Sequence, residues 1–184
     1  LKAIGAKTTI SSDEVLDDVT NGGQKYRVYM TNVNKESPYL QGVVDGQKYS
    51  FYSGCTVTPG ENATKLVEGY NTTYSINSKM TDGKYESNVP ASDGKADYDE
   101  SKAVKKQGDV CALAQEKVGK GNVFVGGTVF MSDFEVKASM DSYADLQYTN
   151  YTIVNNILDS IKKNIDTTKI GDVRKQAIGE TFAV

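Results

Sequence analysis

Three oxygen-bearing side chains, Ser132, Asp133 and Glu135, stand close together in the segment TVFMSDFEVK, just after the apolar run at residues 123–125. Two carboxylates and a hydroxyl can bind a polar ligand, and with a metal or a raised carboxyl pKa they could catalyse hydrolysis. Open α/β sheets place ligands at the carboxyl ends of their strands. The loop is therefore the candidate ligand site. The alternative is that Ser132 and Asp133 cap a turn by hydrogen-bonding backbone N–H groups.

The chain contains no histidine. This excludes a Ser-His-Asp or Cys-His arrangement and an imidazole general base within the chain. The two cysteines, Cys55 and Cys111, lie in predicted strands and can be buried thiols or a disulfide. Cys55 is followed by an extended Thr-Val-Thr-Pro stretch, so no helix N-terminus is placed to lower its thiol pKa. We expect no catalytic residue in this chain.

An acid-rich segment extends over residues 81–107 and carries almost no large aliphatic side chains. Such a segment buries too little apolar area to offset the entropy of ordering it, so we predict a mobile, solvent-facing insertion. Its acids do not have the spacing of a calcium-binding loop, and we expect no metal and no cofactor. These acids are Asp82, Glu86, Asp93, Asp97, Asp99 and Glu100.

Twelve tyrosines include pairs on predicted strands, among them Tyr26/Tyr29 and Tyr49/Tyr52. A row of tyrosine rings can stack on sugars, and strand tyrosines also pack at sheet edges with a hydrated hydroxyl. Both interpretations stay open from the sequence.

Composition sets the expected environment. The net charge is −3 with acids and bases interspersed, so direct nucleic-acid binding is not expected. No apolar run approaches the roughly 20 residues of a membrane helix, so no membrane contact is expected. The many Tyr, Thr, Ser, Asn and Gly residues favour a secreted or cell-surface protein. The start, LKAIGAK, and the end, ETFAV, look cut from a longer chain, so neighbouring domains are expected partners.

Strand-forming residues are grouped in short runs separated by turn residues. The segment SSDEVLDDVTNGGQ is predicted to be a polar stretch ending in a turn at Asn21–Gly23. A hairpin is predicted around Gly119, between strands at residues 109–116 and 122–126. Further strands are predicted over residues 26–33, 48–57 and 66–76.

A helix is predicted over residues 150–164 from its apolar periodicity. One line of apolar residues at helical spacing is expected to be its buried face. These residues are Tyr151, Val154, Leu158, Ile161 and Ile165.

The run VGKGNVFVGGTVFMSDFEVK followed by NYTIVNNILDSI resembles the C-terminal part of the glutamine amidotransferase-like (Rossmannoid) domains of bacterial multidomain surface proteins. In those domains a glycine-rich strand and loop precede a helix with an N-x-x-ILDxI pattern. LKAIGAK and SFYSGCTVTPG are similar to another helix and to the central strand. The resemblance implies an α/β fold, with a mixed β-sheet and packed helices, Rossmann-like and truncated at its N-terminus. Only Cys55 could correspond to the catalytic Cys of active members, and their His has no counterpart, so the resemblance implies a domain without that activity.

The tail TTKIGDVRKQAIGETFAV resembles the entry into an oligonucleotide/oligosaccharide-binding (OB) type β-barrel. In bacterial surface proteins this pairing is similar to what flanks secreted endonuclease/exonuclease/phosphatase or nucleotidase modules. The resemblances imply an amidotransferase-like α/β domain at residues 1–166. Residues 167–184 would then be a linker and the start of a following β domain.

Three functions remain open. The first is a non-catalytic accessory domain of a secreted or cell-surface multidomain bacterial protein, attached to a nuclease- or phosphatase-type hydrolase. The second is a module that binds carbohydrate or a small polar ligand at Ser132, Asp133 and Glu135, with cell-surface carbohydrate as partner. The third is a divergent hydrolase that uses Asp133 and Glu135. An exposed sheet edge would also permit oligomers.

Overall fold

The computed structural model describes residues 1–32, 35–43, 46–77, 80–81, 84–85, 97–131 and 150–164. Strands dominate these residues, and every strand pairing among them is antiparallel. The predicted Rossmann-like α/β fold is therefore wrong. A parallel sheet needs a helical crossover between its strands, whereas the strand before the predicted ligand loop pairs with its sequence neighbour as a hairpin.

Twelve strands and one α-helix are placed in the described residues. The strands are β1 Thr9–Ile10, β2 Asp13–Asp17, β3 Arg27–Asn32, β4 Lys48–Tyr52, β5 Val57–Thr58, β6 Ala63–Gly69, β7 Thr73–Asn77, β8 Met80–Thr81, β9 Lys84–Tyr85, β10 Ala103–Lys105, β11 Cys111–Val118 and β12 Gly121–Gly126. The helix α1 is Tyr151–Asn164, and short 3-10 turns are formed by Lys2–Ile4, Pro38–Leu40 and Glu100–Lys102.

The large sheet has the order β1-β5-β11-β6-β3-β4, and β12 also pairs with β11. A smaller sheet has the order β10-β7-β2, and β8 pairs with β9. The predicted β11–β12 hairpin is confirmed, with Val118 opposite Gly121. Gly119, in its turn, has φ of 59°, a left-handed conformation that glycine adopts without strain.

The predicted strand over residues 66–76 is instead two strands, β6 and β7, and they belong to different sheets. The chain turns between them, with the Thr73 N–H donating to the Tyr70 carbonyl at 2.9 Å. Gly69 makes this tight turn possible, because a Cβ there would lie 2.5 Å from the Thr73 Cβ. The predicted strand over residues 48–57 is likewise divided into β4 and β5, with Ser53 at φ of 46° between them.

Two segments predicted to be polar and irregular contribute to the small sheet. All five residues of β2 are buried, although the sequence there indicates only a polar stretch. β10 pairs with β7, so the last part of the predicted insertion at residues 81–107 is sheet rather than mobile loop. Both strands are short and carry charged residues, and both pair with β7, which is distant in sequence, so local patterns did not identify them. Much of the earlier part of that insertion lies outside the described residues.

Helix α1 packs on the large sheet and confirms the predicted helix. Of its predicted buried face, Val154 is buried but three other residues are exposed, and Ile165 lies outside the described residues. Tyr151, Leu158 and Ile161 are 46%, 44% and 46% exposed. Ile153 and Ile157 are fully buried instead, with Val154 beside them. Apolar residues lie on two neighbouring faces of the helix, so periodicity alone does not decide which face packs on the sheet.

One main core cluster joins the helix to the large sheet. It combines aromatic and aliphatic side chains from β3, β4, β6 and β11 with the helix face. Its members include Met30, Tyr49, Phe51, Leu66, Leu113, Phe130, Ile153 and Ile157.

Asn150 attaches the start of helix α1 to the edge strand β4. Its side-chain Oδ1 accepts from the Ser50 N–H at 3.1 Å, and its Nδ2 donates to the carbonyls of Ser50 and Phe130 at 3.2 and 3.3 Å. Asn150 is fully buried. The amide therefore satisfies the backbone groups of Ser50 that an open sheet edge would present to a partner. A dimer through a sheet edge stays a prediction.

Candidate functional site

The predicted ligand loop cannot be compared with the structure, because Ser132, Asp133 and Glu135 lie outside the described residues. The strand before the loop ends at Gly126. Phe130, which follows it, is buried, and its ring centroid lies 6.1 Å from that of Tyr49. The loop stays a predicted site. The same holds for the predicted domain start at residues 167–184.

Both cysteines are free thiols. Cys111 is buried, its Sγ donates to the Leu113 carbonyl at 3.7 Å, and burial raises its pKa to about 12. Cys55 is half-buried, and burial raises its pKa, assisted by the nearby negative charge of Asp13. Gly127 approaches the Cys55 backbone so closely that a Cβ would lie 1.8 Å from the Cys55 oxygen. A raised pKa disfavours the reactive thiolate at both cysteines.

The described residues contain a group of buried acids on and beside β2 that the sequence did not indicate. Asp13 is 1% exposed. Its Oδ1 accepts from the Thr56 N–H at 2.8 Å, and its Oδ2 accepts from the hydroxyls of Thr56 and Ser75, both at 2.6 Å. The Ser75 oxygen in turn accepts from the Lys105 N–H at 3.1 Å. One carboxylate thus joins β2 to the chain before β5, to β7 and to β10.

Asp17 makes the same kind of connection at the other end of β2. It is fully buried and accepts four hydrogen bonds. Its Oδ1 accepts from the N–H groups of Val19 and Thr20 at 2.8 and 2.6 Å, which closes the turn after the strand. Its Oδ2 accepts from the hydroxyls of Thr72 and Thr73 at 2.9 and 2.7 Å. Asp17 therefore binds the β2 turn to the turn between β6 and β7.

Asp18 and Lys25 form a buried ion pair, with 2% and 4% of their side chains exposed. Lys25 Nζ lies 3.3 Å from Asp18 Oδ1 and also contacts the carboxylate of Asp97. Asp18 accepts from the Tyr74 hydroxyl at 3.1 Å and from the Asp97 N–H at 2.8 Å. Asp18 and Lys25 lie between β2 and β3, so their contacts with Asp97 hold the segment before the Glu100–Lys102 turn against this connection.

A weak signal for these acids is present in the sequence. Asp13 and Asp17 are four residues apart and so lie on one face of a strand, and Thr73 and Ser75 present hydroxyls from one face of β7. The register pairs Asp17 with Thr73. The pairing joins strands about sixty residues apart, so only the tertiary structure reveals that the acids are buried and satisfied.

Glu116 holds the N-terminal segment against β11. Its carboxylate is 3% exposed, accepts from the Lys7 N–H at 2.8 and 3.1 Å, and accepts from the Thr8 N–H at 2.7 Å. Hydrogen bonds from the Thr8 side chain and from the backbone of Lys7 and Thr8 lower the pKa of Glu116. The carboxylate is therefore more strongly bound in its ionised form.

We expect Glu116→Gln to destabilise the protein at neutral pH and to have a smaller effect in acid. A lowered native pKa stabilises the fold above the ordinary value of 4.5, and this contribution is lost as pH falls through the native pKa. Thermal unfolding of the variant and the wild type at neutral pH and at about pH 3 tests this. Glu61→Gln, at an exposed residue, is the control and should leave both curves unchanged. A stability difference that is independent of pH would contradict the expectation.

The tyrosines divide between the core and the surface. Tyr49 is fully buried, and its hydroxyl has no hydrogen-bond partner among the described residues. Tyr52, three residues further along β4, is 38% exposed and meets Tyr26 edge to face at 5.5 Å. Arg27 lies over the Tyr52 ring at 5.9 Å. The predicted sugar-stacking face is thus not continuous along β4, where Tyr52 is at the surface with Tyr26 and Tyr49 is in the core.

A concave site that the sequence did not indicate lies between the Pro38–Leu40 turn and helix α1. We call it the helix groove. Its volume is about 370 Å³. The residues that line it are Pro38, Tyr39, Gln41, Asn156, Asp159, Ser160 and Lys163. The four helix residues follow the spacing i, i+3, i+4 and i+7 and so form one polar stripe.

The described residues bring together no group of three or more Cys, Asp or Glu side chains that could hold a metal ion. Nor does this part of the chain contain a helix with the length and apolar character that crossing a membrane requires.

Comparison with models of known protein families gives no match to this chain, and comparisons with curated proteins and with solved structures give none either. The resemblance to amidotransferase-like domains stays a prediction, and the Rossmann-like fold that it implied is replaced by the antiparallel sheets described above.

Proposed function

We propose that this chain is a non-catalytic accessory module of a secreted or cell-surface multidomain protein. The supporting observation is the use of its buried acids. Asp13, Asp17, Asp18 and Glu116 are each at least 97% buried, and backbone N–H groups, hydroxyls or a lysine occupy their oxygens. Catalytic carboxylates must reach a substrate, whereas these four hold separate segments of the fold together.

The composition of the whole chain, rich in Tyr, Thr, Ser, Asn and Gly, supports a secreted or cell-surface setting. Some of the hydroxyls are buried hydrogen-bond donors, as at Thr56, Thr73 and Ser75. A module of this kind would position or present a neighbouring domain. A nuclease- or phosphatase-type hydrolase remains the proposed neighbour.

The purified chain should not turn over phosphate esters, phosphodiesters or glycosides, with or without added divalent metal. The decisive comparison is with Asp133→Asn and Glu135→Gln, which remove the acids of the alternative hydrolase proposal. Turnover by the wild type that is lost in either variant would overturn the proposed function. Turnover that persists equally in both variants would also overturn it and would place the chemistry elsewhere in the chain.

Carbohydrate or small-ligand binding is the second candidate, because the helix groove offers a concave polar site on the described surface. Binding at Ser132, Asp133 and Glu135 stays a separate prediction.

A further inference from the structure

The Asn156 side chain bridges the two walls of the helix groove. Asn156 Nδ2 donates to the carbonyls of Tyr39 and Gln41 at 2.9 and 2.8 Å. The Tyr39 ring is held by an edge-to-face contact with Phe124, with centroids 4.8 Å apart and an interplanar angle of 87°. Beneath the turn, Leu40 belongs to the same core cluster as the helix. The groove is therefore formed before any ligand arrives, which reduces the entropy cost of binding.

The lining combines an aromatic ring with hydrogen-bonding groups of both kinds. Asp159 supplies acceptors, Lys163 supplies donors, and the Gln41 amide supplies both. The Asp159 carboxylate also lies 3.5 Å from the Lys162 Nζ. This ion pair is exposed and weak, so the carboxylate can still accept hydrogen bonds from a ligand. The two formal charges that line the groove, Asp159 and Lys163, cancel.

This set of groups discriminates among ligand classes. A phosphate would be repelled by Asp159, and a divalent cation would find one carboxylate in a lining that also carries the ammonium of Lys163. A wholly apolar ligand would leave the carboxylate and the ammonium desolvated without partners. A neutral sugar satisfies both, because its hydroxyls donate to Asp159 and accept from Lys163, while a C–H face packs on the Tyr39 ring.

We propose that the helix groove binds a neutral pyranose sugar, as one or two rings of a glycan. The volume of about 370 Å³ is at the lower end of the range for small-molecule sites, which suits one or two rings and not a long chain. This proposal deepens the second candidate function by naming the ligand class. A module without a reaction of its own can still bind a sugar, so the proposal can fail independently of the non-catalytic role.

Saturation-transfer NMR and calorimetric titration of the whole chain test the proposal. The probes are glucose, galactose, mannose, N-acetylglucosamine and their β-1,4-linked disaccharides. At least one should bind, and Tyr39→Ala and Asp159→Ala should each weaken it about tenfold or more, the scale of one lost charged hydrogen bond or ring contact. Gln41→Ala changes an exposed residue outside the core cluster and should also weaken binding.

Matched controls separate the groove from the rest of the surface. Asp109→Ala and Lys117→Met change exposed residues outside the groove and should bind like the wild type. Tyr52→Ala removes the exposed ring of the β4 surface and should also bind like the wild type. Circular dichroism and thermal unfolding of each variant confirm that it is folded.

Three results would overturn the proposal: no sugar of the panel binds, Tyr52→Ala abolishes binding while Asp159→Ala does not, or Asp159→Ala and Gln41→Ala both bind normally. None of these results affects the non-catalytic role. Conversely, hydrolysis of a bound disaccharide would contradict the non-catalytic role and leave sugar binding at the groove intact.

Discussion

Replacing Asp17 by alanine should lower the free energy of unfolding by about 3–4 kcal/mol, which corresponds to roughly 6–16 °C in Tm for a domain of this size. The carboxylate accepts four hydrogen bonds, and its two threonine partners come from the turn between β6 and β7. Thr73 is fully buried, so its hydroxyl would lose its acceptor without gaining water. Denaturant unfolding followed by circular dichroism or tyrosine fluorescence measures the change, since the chain has no tryptophan.

Asp17→Asn distinguishes lost hydrogen bonds from lost volume. The amide oxygen can still accept from the N–H groups of Val19 and Thr20, and the threonine hydroxyls can rotate to accept from the amide. We therefore expect about half the loss seen for alanine. Asp109→Ala, at an exposed acid, should change stability by less than about 0.5 kcal/mol. Wild-type stability in Asp17→Ala would show that the hydrogen bonds of β2 are not a principal support of the fold.

Lys25→Met should have the second large effect, a loss of about 2–4 kcal/mol. Methionine keeps most of the length of the side chain but leaves Asp18, which is 2% exposed, without its cationic partner. The hydrogen bonds from the Tyr74 hydroxyl and the Asp97 N–H remain and moderate the penalty. Adding Asp18→Asn to the variant should recover part of the loss, because the uncompensated charge is removed. A double variant as unstable as the sum of the single variants would contradict a direct ion pair.

An exposed ion pair provides the matched control for Lys25→Met. Lys102 lies 3.0 Å from Asp99, but 77% of the lysine side chain is exposed, so Lys102→Met should cost less than about 1 kcal/mol.

The buried pair also predicts a dependence on alkaline pH. The hydrogen bond to Asp97 is the main cause that raises the pKa of Lys25 above 10.5, and the charge of Asp18 adds to it, while burial opposes both. The stabilisation from Lys25 is therefore present below pH 10.5 and is lost as pH rises through the raised native value. The stability difference between wild type and Lys25→Met should shrink in that range. A difference that stays constant to the end of the alkaline range would argue against a titrating lysine.

The acidic stretch at the start of the chain shows why sequence reasoning failed for the small sheet. Asp13, Asp17 and Asp18 look like surface residues, since carboxylates are rarely buried unless they are paired. Their partners include the hydroxyls of Thr56 and Ser75, about 40 to 60 residues further along the chain, and the ammonium of Lys25. The spacing of Asp13 and Asp17 puts them on one strand face, but local patterns do not identify such distant donors, so the burial of β2 was not predicted.

The helix groove was missed for a related reason. The helix itself was predicted, and the polar line of Asn156, Asp159, Ser160 and Lys163 is visible in the sequence. The groove forms where Asn156 donates to the carbonyls of a turn more than a hundred residues away and Leu40 of that turn packs in the same core cluster as the helix.

What the sequence by itself determined is local: the hairpin turn at Gly119, the helix at residues 150–164, and the absence of any chemistry that needs histidine. These follow from conformational freedom at a glycine, from apolar periodicity over neighbouring residues and from composition. Three features were decided only by the tertiary structure. They are the helix face that is buried, the antiparallel pairing of the sheets, and the hydrogen bonding of the buried β2 acids. Each of those outcomes depends on hydrogen bonds and packing between segments far apart in the chain.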